Sequence, residues 1–300
     1  MTVGVLVMAY GTPTTREDVA AYYTRIRHGH PPTPELLADL VRRYEAIGGT
    51  SPLAERTARQ VARLASTLEK HHRGDYVVAF GSKYEPPLLE EAARELAERG
   101  VDRVIGLVLA PHSSSLSTDQ YMERARAALG EDIDFTPIGA WWDAEGFCEL
   151  IGERVRAALE TIPLERRATT EVVFSAHSLP ESILASGDTY PEQLAESAER
   201  AAQLAGLDHF SLAWQSAGRT GDVWLGPDIL VVLRELAARG VRDVVSCPIG
   251  FVADHLEVLY DIDVDAQRVA HEIGLNLVRT TSLNDDPDFI AVLSRVVRDA

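Results

Sequence analysis

Basic residues are scarce in this chain. Lys and Arg number 29 against 46 Asp and Glu, a formal net charge of −17 over 300 residues. A phosphate-binding face needs net positive charge, so this deficit argues against a nucleic-acid partner and against attachment to anionic lipid by charge alone. Cysteine is almost missing. Cys148 and Cys247 are the only two, too few for a disulfide framework or a four-thiolate cluster, and a reducing, cytoplasmic setting is expected. No apolar run approaches the roughly 18 residues of a membrane span. The opening MTVGVLVMAYG lacks a basic leader and a small-residue cleavage site, so it predicts a first strand rather than a signal peptide. Absent too are a G-x-S-x-G elbow, a G-x-x-x-x-G-K-[ST] loop, a G-x-G-x-x-G after the first strand and a C-x-x-C pair. Those absences argue against elbow-type hydrolases, P-loop enzymes, dinucleotide binders and dithiol redox proteins.

What is present is apolar and regularly punctuated. Short hydrophobic runs at 3–9, 76–80, 103–110 and 133–138 alternate with amphipathic stretches, and a second set follows at 171–176, 209–214, 243–249 and 276–281. Helical patterns lie between them at 53–72, 87–99, 118–129, 145–160, 191–205 and 227–239. Continuous rather than alternating apolar strands predict parallel sheets covered on both faces. Four strands and four strands predict an α/β chain of two doubly wound halves, each with its site at the carboxyl ends of its strands. The halves read as repeats. VLVMAYGTP (5–13) matches VVFSAHSLP (172–180) in form, and GLVLAPHSSSLSTDQY (106–121) resembles DVVSCPIGFVADHLEVLY (243–260). Tyr10 and His177 therefore occupy equivalent strand tips.

His177 at the end of a buried strand is either part of a capped loop or a catalytic base. Further on, Asp254, Glu257, Asp261 and Asp265 fall in one stripe at 100° per residue. Such a stripe is either a solvated acidic face or a path for a hard divalent cation. YYTRIRHGHPPTP (22–34) concentrates Arg25, Arg27, His28 and His30 without an acid, and Arg43, Tyr44 and a Gly-Gly loop ending in Ser51 follow. This basic patch is either a surface helix with a Pro-rich loop or a seat for an anion, Arg offering a forked donor to carboxylate. Tyr121 closes a hydroxyl-rich segment that would also serve as a helix cap. Trp224, before a Gly-Pro turn, is core or a flat wall for an aromatic ligand.

With FSAHSLP, WQSAGRTGDVWLGPD and PIGFVADHLEVLYDID in view, the sequence resembles the ferrochelatases, as do the N-terminal GVLVMAYGTP, YYTRIRHG and RYEAIGGTSPL. The likeness is greatest to the coproporphyrin III ferrochelatases of Gram-positive-type bacteria, and it runs through nearly the whole chain in order. It implies two Rossmann-like, chelatase-type halves with four-stranded parallel sheets and a porphyrin cleft between them. The expected domains are 1–140 plus a returning helix at 285–300, and 141–284. Carried over residue by residue, His177 would be the pyrrole-proton acceptor and metal-site histidine, with Glu257 its partner. Asp261 and Asp265 would extend the metal path, and could hold a regulatory divalent cation. Tyr10 would lie on the opposite macrocycle face, as the residue able to ligate the inserted iron. Arg27, Arg43, Tyr44, Ser51 and Tyr121 would meet the porphyrin edge, and Trp224 would line the substrate site.

Two features depart from the family pattern. RHGH replaces a more arginine-rich stretch, so His28 and His30 would make propionate binding sensitive to pH near the ordinary histidine value. The chain ends at VVRDA without a cysteine group, so no iron–sulfur cluster is expected. The implied activity is insertion of Fe(II) into coproporphyrin III in heme biosynthesis, with no cofactor beyond the iron substrate. A monomer with transient contacts to neighbouring heme-pathway enzymes is expected. The alternatives are protoporphyrin IX or another tetrapyrrole as the ring, or a porphyrin carrier without turnover.

Overall fold

The computed structural model describes residues 2–218 and 220–300, which divide into two compact units. The first comprises Met1–Trp141, Ala253–Leu256 and Asn284–Ala300, the second Trp142–Val252 and Glu257–Leu283. The short segment Ala253–Leu256 thus groups with the first unit, although it lies within the expected 141–284.

The first unit carries β1 (Val3–Ala9), β2 (Tyr76–Ser82), β3 (Arg103–Val108) and β4 (Asp134–Ile138). They form one parallel sheet in the order β2-β1-β3-β4, with Val3 opposite Tyr76 on one side and Arg103 on the other. The run VGVLVMA has no polar residue to turn toward water, and only a strand covered on both faces accommodates it. Leu6, Met8, Leu89, Leu96, Val104 and Phe135 fill one side of the sheet, each such side chain contributing roughly 1.5–3 kcal/mol on full burial. The last helix, Pro287–Arg298, packs against the long helix Leu53–His71 through the same unit, and Asp285 just before it meets Arg56 at 3.5 Å and Arg63 at 3.1 Å.

The second unit repeats the plan. β5 (Glu171–His177), β6 (Ser211–Gln215), β7 (Asp243–Cys247) and β8 (Asn276–Arg279) pair in parallel in the order β6-β5-β7-β8. This is the first unit's order with each strand replaced by its counterpart, as the sequence repeats predict. All eight expected strands are present, with ends shifted by at most three residues. Two helices, Val19–Ile26 and Pro34–Ala46, occupy the basic N-terminal stretch. Among the described residues no helix is long and apolar enough to cross a membrane.

The acidic segment departs from expectation. Helix begins only at Leu256, leaving Asp254 outside it, where its carboxylate accepts from Asn284 Nδ2 at 2.9 Å. From Leu259 to Ala266 the helix is π, with i→i+5 bonding, before α-helix resumes over Gln267–Glu272. Val258, Ile262, Ala266 and Ala270 point into the core. Glu257, Asp261 and Asp265 run beside them, one position earlier each time.

Candidate active site

β5 ends the way a buried strand must when its next residue is to be used. Ala176 is fully buried and His177 is the first side chain to emerge. Gly250, in the loop after β7, lies so near that an added Cβ would sit 2.5 Å from Ala176 Cβ. Its N–H donates to Ser175 O at 3.1 Å. The strand tip is therefore held from both sides. The Ser178 N–H donates to Gln215 O at 2.7 Å, its hydroxyl to Leu225 O at 2.7 Å, and the Tyr190 hydroxyl to His177 O at 3.0 Å.

These bonds fix the imidazole as well. Nδ1 contacts the Ser178 carbonyl, which can only accept, so Nδ1 carries the proton. In the neutral ring the lone pair is then on Nε2, and Nε2 faces Glu257 Oε1 at 3.6 Å. Both side chains are about one-third exposed, 33% and 36%, open enough to meet a ligand. Burial by itself pulls the imidazole down. The Glu257 carboxylate, the Ser178 carbonyl and the Asp261 charge, which all favour the imidazolium, outweigh that and hold His177 above its ordinary value. Gln215 completes the support: it donates to Glu257 O at 3.3 Å and accepts from the Ser175 hydroxyl at 3.0 Å.

The rest of the acidic path is engaged. Asp261 accepts from the Ser216 hydroxyl, and Asp265 accepts from Arg268 at 2.9 Å. Among the described residues no three His, Cys, Asp or Glu side chains converge on a cation position, so a cation at Asp261 and Asp265 would have to displace Ser216 and Arg268. Trp224 lies in a loop paired with Pro180, its ring against Gly218, and its indole N–H donates to Thr220 Oγ1 at 3.0 Å. It is half-buried, neither deep core nor a bare wall.

The remaining candidates lie in the first unit. Tyr10 follows β1 and is 42% exposed, its ring edge-on to Tyr84 at 4.8 Å and Tyr22 at 6.5 Å. Arg27 ends the first helix with its guanidinium 5.9 Å from the Tyr23 ring, and its Nε is buried without a hydrogen bond. Arg43 meets Asp39 at 3.3 Å. Tyr44 and Ser51 are buried, the first sharing a hydrogen bond with Thr12 at 3.2 Å and the second accepting from Leu53 N–H at 3.2 Å. Tyr121 is buried beneath the Lys83 ammonium, 4.8 Å from its ring centroid. Sequence periodicity offers no signal for Lys83, Gln120, Tyr190 or Gln215. Gln215 was recoverable only from its place inside WQSAG.

A family model described as Ferrochelatase matches residues 2–300. The coproporphyrin III ferrochelatase of Geobacillus sp. (strain WCH70) is 44% identical over 299 residues, covering 98% of this chain and 96% of that protein. A ferrochelatase of Herpetosiphon aurantiacus is 43% identical over 296 residues, covering 98% and 97%. Among solved structures, the sirohydrochlorin chelatase SirB of Bacillus subtilis subspecies spizizenii, in complex with cobalt, superposes with a TM-score of 0.60 at 13% identity. It covers 100% of this chain and 95% of that one, a likeness of fold alone.

Proposed function

This chain belongs to the ferrochelatase family, and on that premise we propose that it inserts ferrous iron into coproporphyrin III to give coproheme in heme biosynthesis. The observation that carries the reading is the pairing of His177 Nε2 with Glu257 at 3.6 Å on a strand tip held by bonds to Gln215, Leu225, Tyr190 and Gly250. Relatives named for coproporphyrin III at 41–44% identity along essentially the whole chain support the choice of ring.

Metallation replaces two pyrrole protons by one divalent ion. Neutral His177 offers the Nε2 lone pair to the first proton, because the Ser178 carbonyl has fixed the other nitrogen as donor. Glu257 then faces an imidazolium, which its carboxylate stabilises; loss of that proton to water along the partly exposed Asp261 side of the helix regenerates neutral His177, which then accepts the second pyrrole proton and releases it the same way. Carboxylates also suit the exchange of waters from Fe(II). No resident cofactor is needed, since iron is the substrate. Tyr10, Arg27, Arg43, Tyr44, Ser51, Tyr121 and Trp224 are proposed as porphyrin contacts. The protein is further proposed to act as a cytoplasmic monomer that passes product on through transient contacts with neighbouring heme-pathway enzymes.

The test is anaerobic Fe(II) insertion followed by absorbance, with coproporphyrin III and protoporphyrin IX in parallel. Rapid metallation of coproporphyrin is expected. Preference for protoporphyrin would replace the ring. Binding without turnover of either, with Fe(II) and then Co(II), would make the protein a carrier.

A further inference from the structure

A cavity of about 400 Å³ in the first unit has no part in the His177 chemistry. Arg25, His28, Lys83, Tyr84, Gln120 and Arg124 form most of its wall. In a chain of net charge −17 with only two lysines, a cationic hollow is out of keeping with its surroundings. Its arginines are already matched, Arg25 to Glu85 at 2.8 Å and Arg124 to Glu90 at 2.6 Å. Lys83 is not. It is 6% exposed, its ammonium donates to Gln120 Oε1 at 2.6 Å, and its other neighbours are the rings of Tyr121 at 4.8 Å and Tyr84 at 5.5 Å. No carboxylate pairs with it among the described residues. Burial, reinforced by the Arg124 charge, lowers the ammonium to about 8. An amide and two ring faces are a poor exchange for water around a buried charge. The three cations and two carboxylates leave one positive charge, which a single carboxylate would neutralise.

Position says where that carboxylate comes from. The Lys83 N–H donates to Ala9 O at 2.8 Å and the Tyr84 N–H to Tyr10 O at 3.1 Å, so Lys83 is bonded alongside the tip of β1. The rings next to its ammonium are Tyr121 and Tyr84, and Tyr84 in turn packs on Tyr10. His28, beside Arg27, closes the rim. The cavity is thus contiguous with residues proposed above to contact the macrocycle. We propose that Lys83 receives one carboxylate arm of the tetrapyrrole, an arm present in a four-carboxylate ring and replaced by an apolar group in a two-carboxylate ring. Lys83 is then a specificity-determining residue. This rests on the reading of the chain as a porphyrin-metallating enzyme.

The test compares Lys83→Met with wild type on coproporphyrin III, with four carboxylates, and mesoporphyrin IX, with two. Loss of a charge-assisted hydrogen bond predicts a KM for coproporphyrin raised about tenfold or more. Mesoporphyrin should shift less than about threefold, kcat should be little changed on either ring, and Lys83→Arg should restore most of the loss. Equal losses on both rings, or none on either, would overturn the proposal. A measurement on the wild-type protein guards against a variant that does not fold. Acylation of amines at pH 8, read by peptide mass, should be blocked at Lys83 by coproporphyrin III and not by mesoporphyrin IX or acetate. Protection by acetate alone would assign the cavity to a free small anion and overturn the arm. Should wild type metallate neither ring, the proposed function fails, yet protection by coproporphyrin III would still support the Lys83 contact.

Discussion

The tips of β1 and β5 share a backbone and differ in chemistry. Each is the second strand of a sheet of identical order, and each ends in Ala, a ring, a small residue, one more residue and Pro. At β1 the ring is Tyr10, packed edge-on among two other tyrosines. At β5 it is His177, held by a carbonyl on one nitrogen and facing a carboxylate with the other. The partner makes the difference. Three residues before Tyr121, in the segment after β3, stands Thr118, a buried side chain that accepts from Ser114 N–H at 2.9 Å and caps its own loop. Three residues before Tyr260, in the corresponding segment after β7, stands Glu257. A duplicated frame holds a histidine–carboxylate pair at one tip and a cluster of tyrosine rings at the other, through the residue each crossover presents.

The sharpest way to break this comparison is His177→Ala. Loss of a general base predicts a fall in insertion rate of about 10²–10⁴-fold, with porphyrin binding by fluorescence quenching kept within a few-fold. Turnover near wild type would remove His177 from the proton step.

Glu257→Gln comes next, with about a tenfold to hundredfold loss, the scale at which removal of an orienting partner acts. Its second signature is in pH. Glu257 holds the His177 value up, and the base works only when neutral. Activity should therefore rise with pH through a value above 6.5 in the wild type, and this limb should move to lower pH in the variant. An unmoved limb would show that His177 does not titrate against Glu257. The linked stability has the opposite slope: the pair stabilises the fold below the unfolded histidine value, and that contribution fades as pH rises through the raised one.

The residue after each ring separates the two frames by stability. Gly11 has φ +87°, and a Cβ there would lie 2.6 Å from Ser82 Oγ, so Gly11→Ala should cost about 1–3 kcal/mol in denaturant unfolding. Ser178→Ala loses one hydrogen bond to Leu225 O and should cost about 1 kcal/mol. Equal costs would mean that the first tip relaxes freely. Smallest of all is Tyr10→Phe, which keeps the ring packing. Proton transfer to His177 does not use the phenol, so kcat should stay within roughly a factor of two; a larger fall would give Tyr10 a share in the chemistry.

The strands were legible because an unbroken apolar run such as VGVLVMA or EVVFSA leaves a chain few alternatives. His177 and Glu257 were legible through the segments that hold them. The π-helical turn was not. At 100° per residue, Asp254 joins the acidic stripe. In the structure it precedes the helix and is bonded to Asn284, a residue far along the chain. Lys83 was equally silent, since one lysine after a strand looks like any surface residue until Tyr121 and Tyr84 are folded over it.

Sequence by itself determined the α/β class, the duplication and the identity of the strand-tip rings, because these follow from local periodicity and from repeats read along one dimension. Only the tertiary structure decided which nitrogen of His177 bears a proton, that Asp261 and Asp265 are occupied by Ser216 and Arg268, and that Lys83 is buried against an amide and two rings, with no carboxylate paired to it among the described residues. Each of these depends on distances between groups remote in the chain, and hydrogen bonds and charges act over ångströms in space, not over positions in sequence.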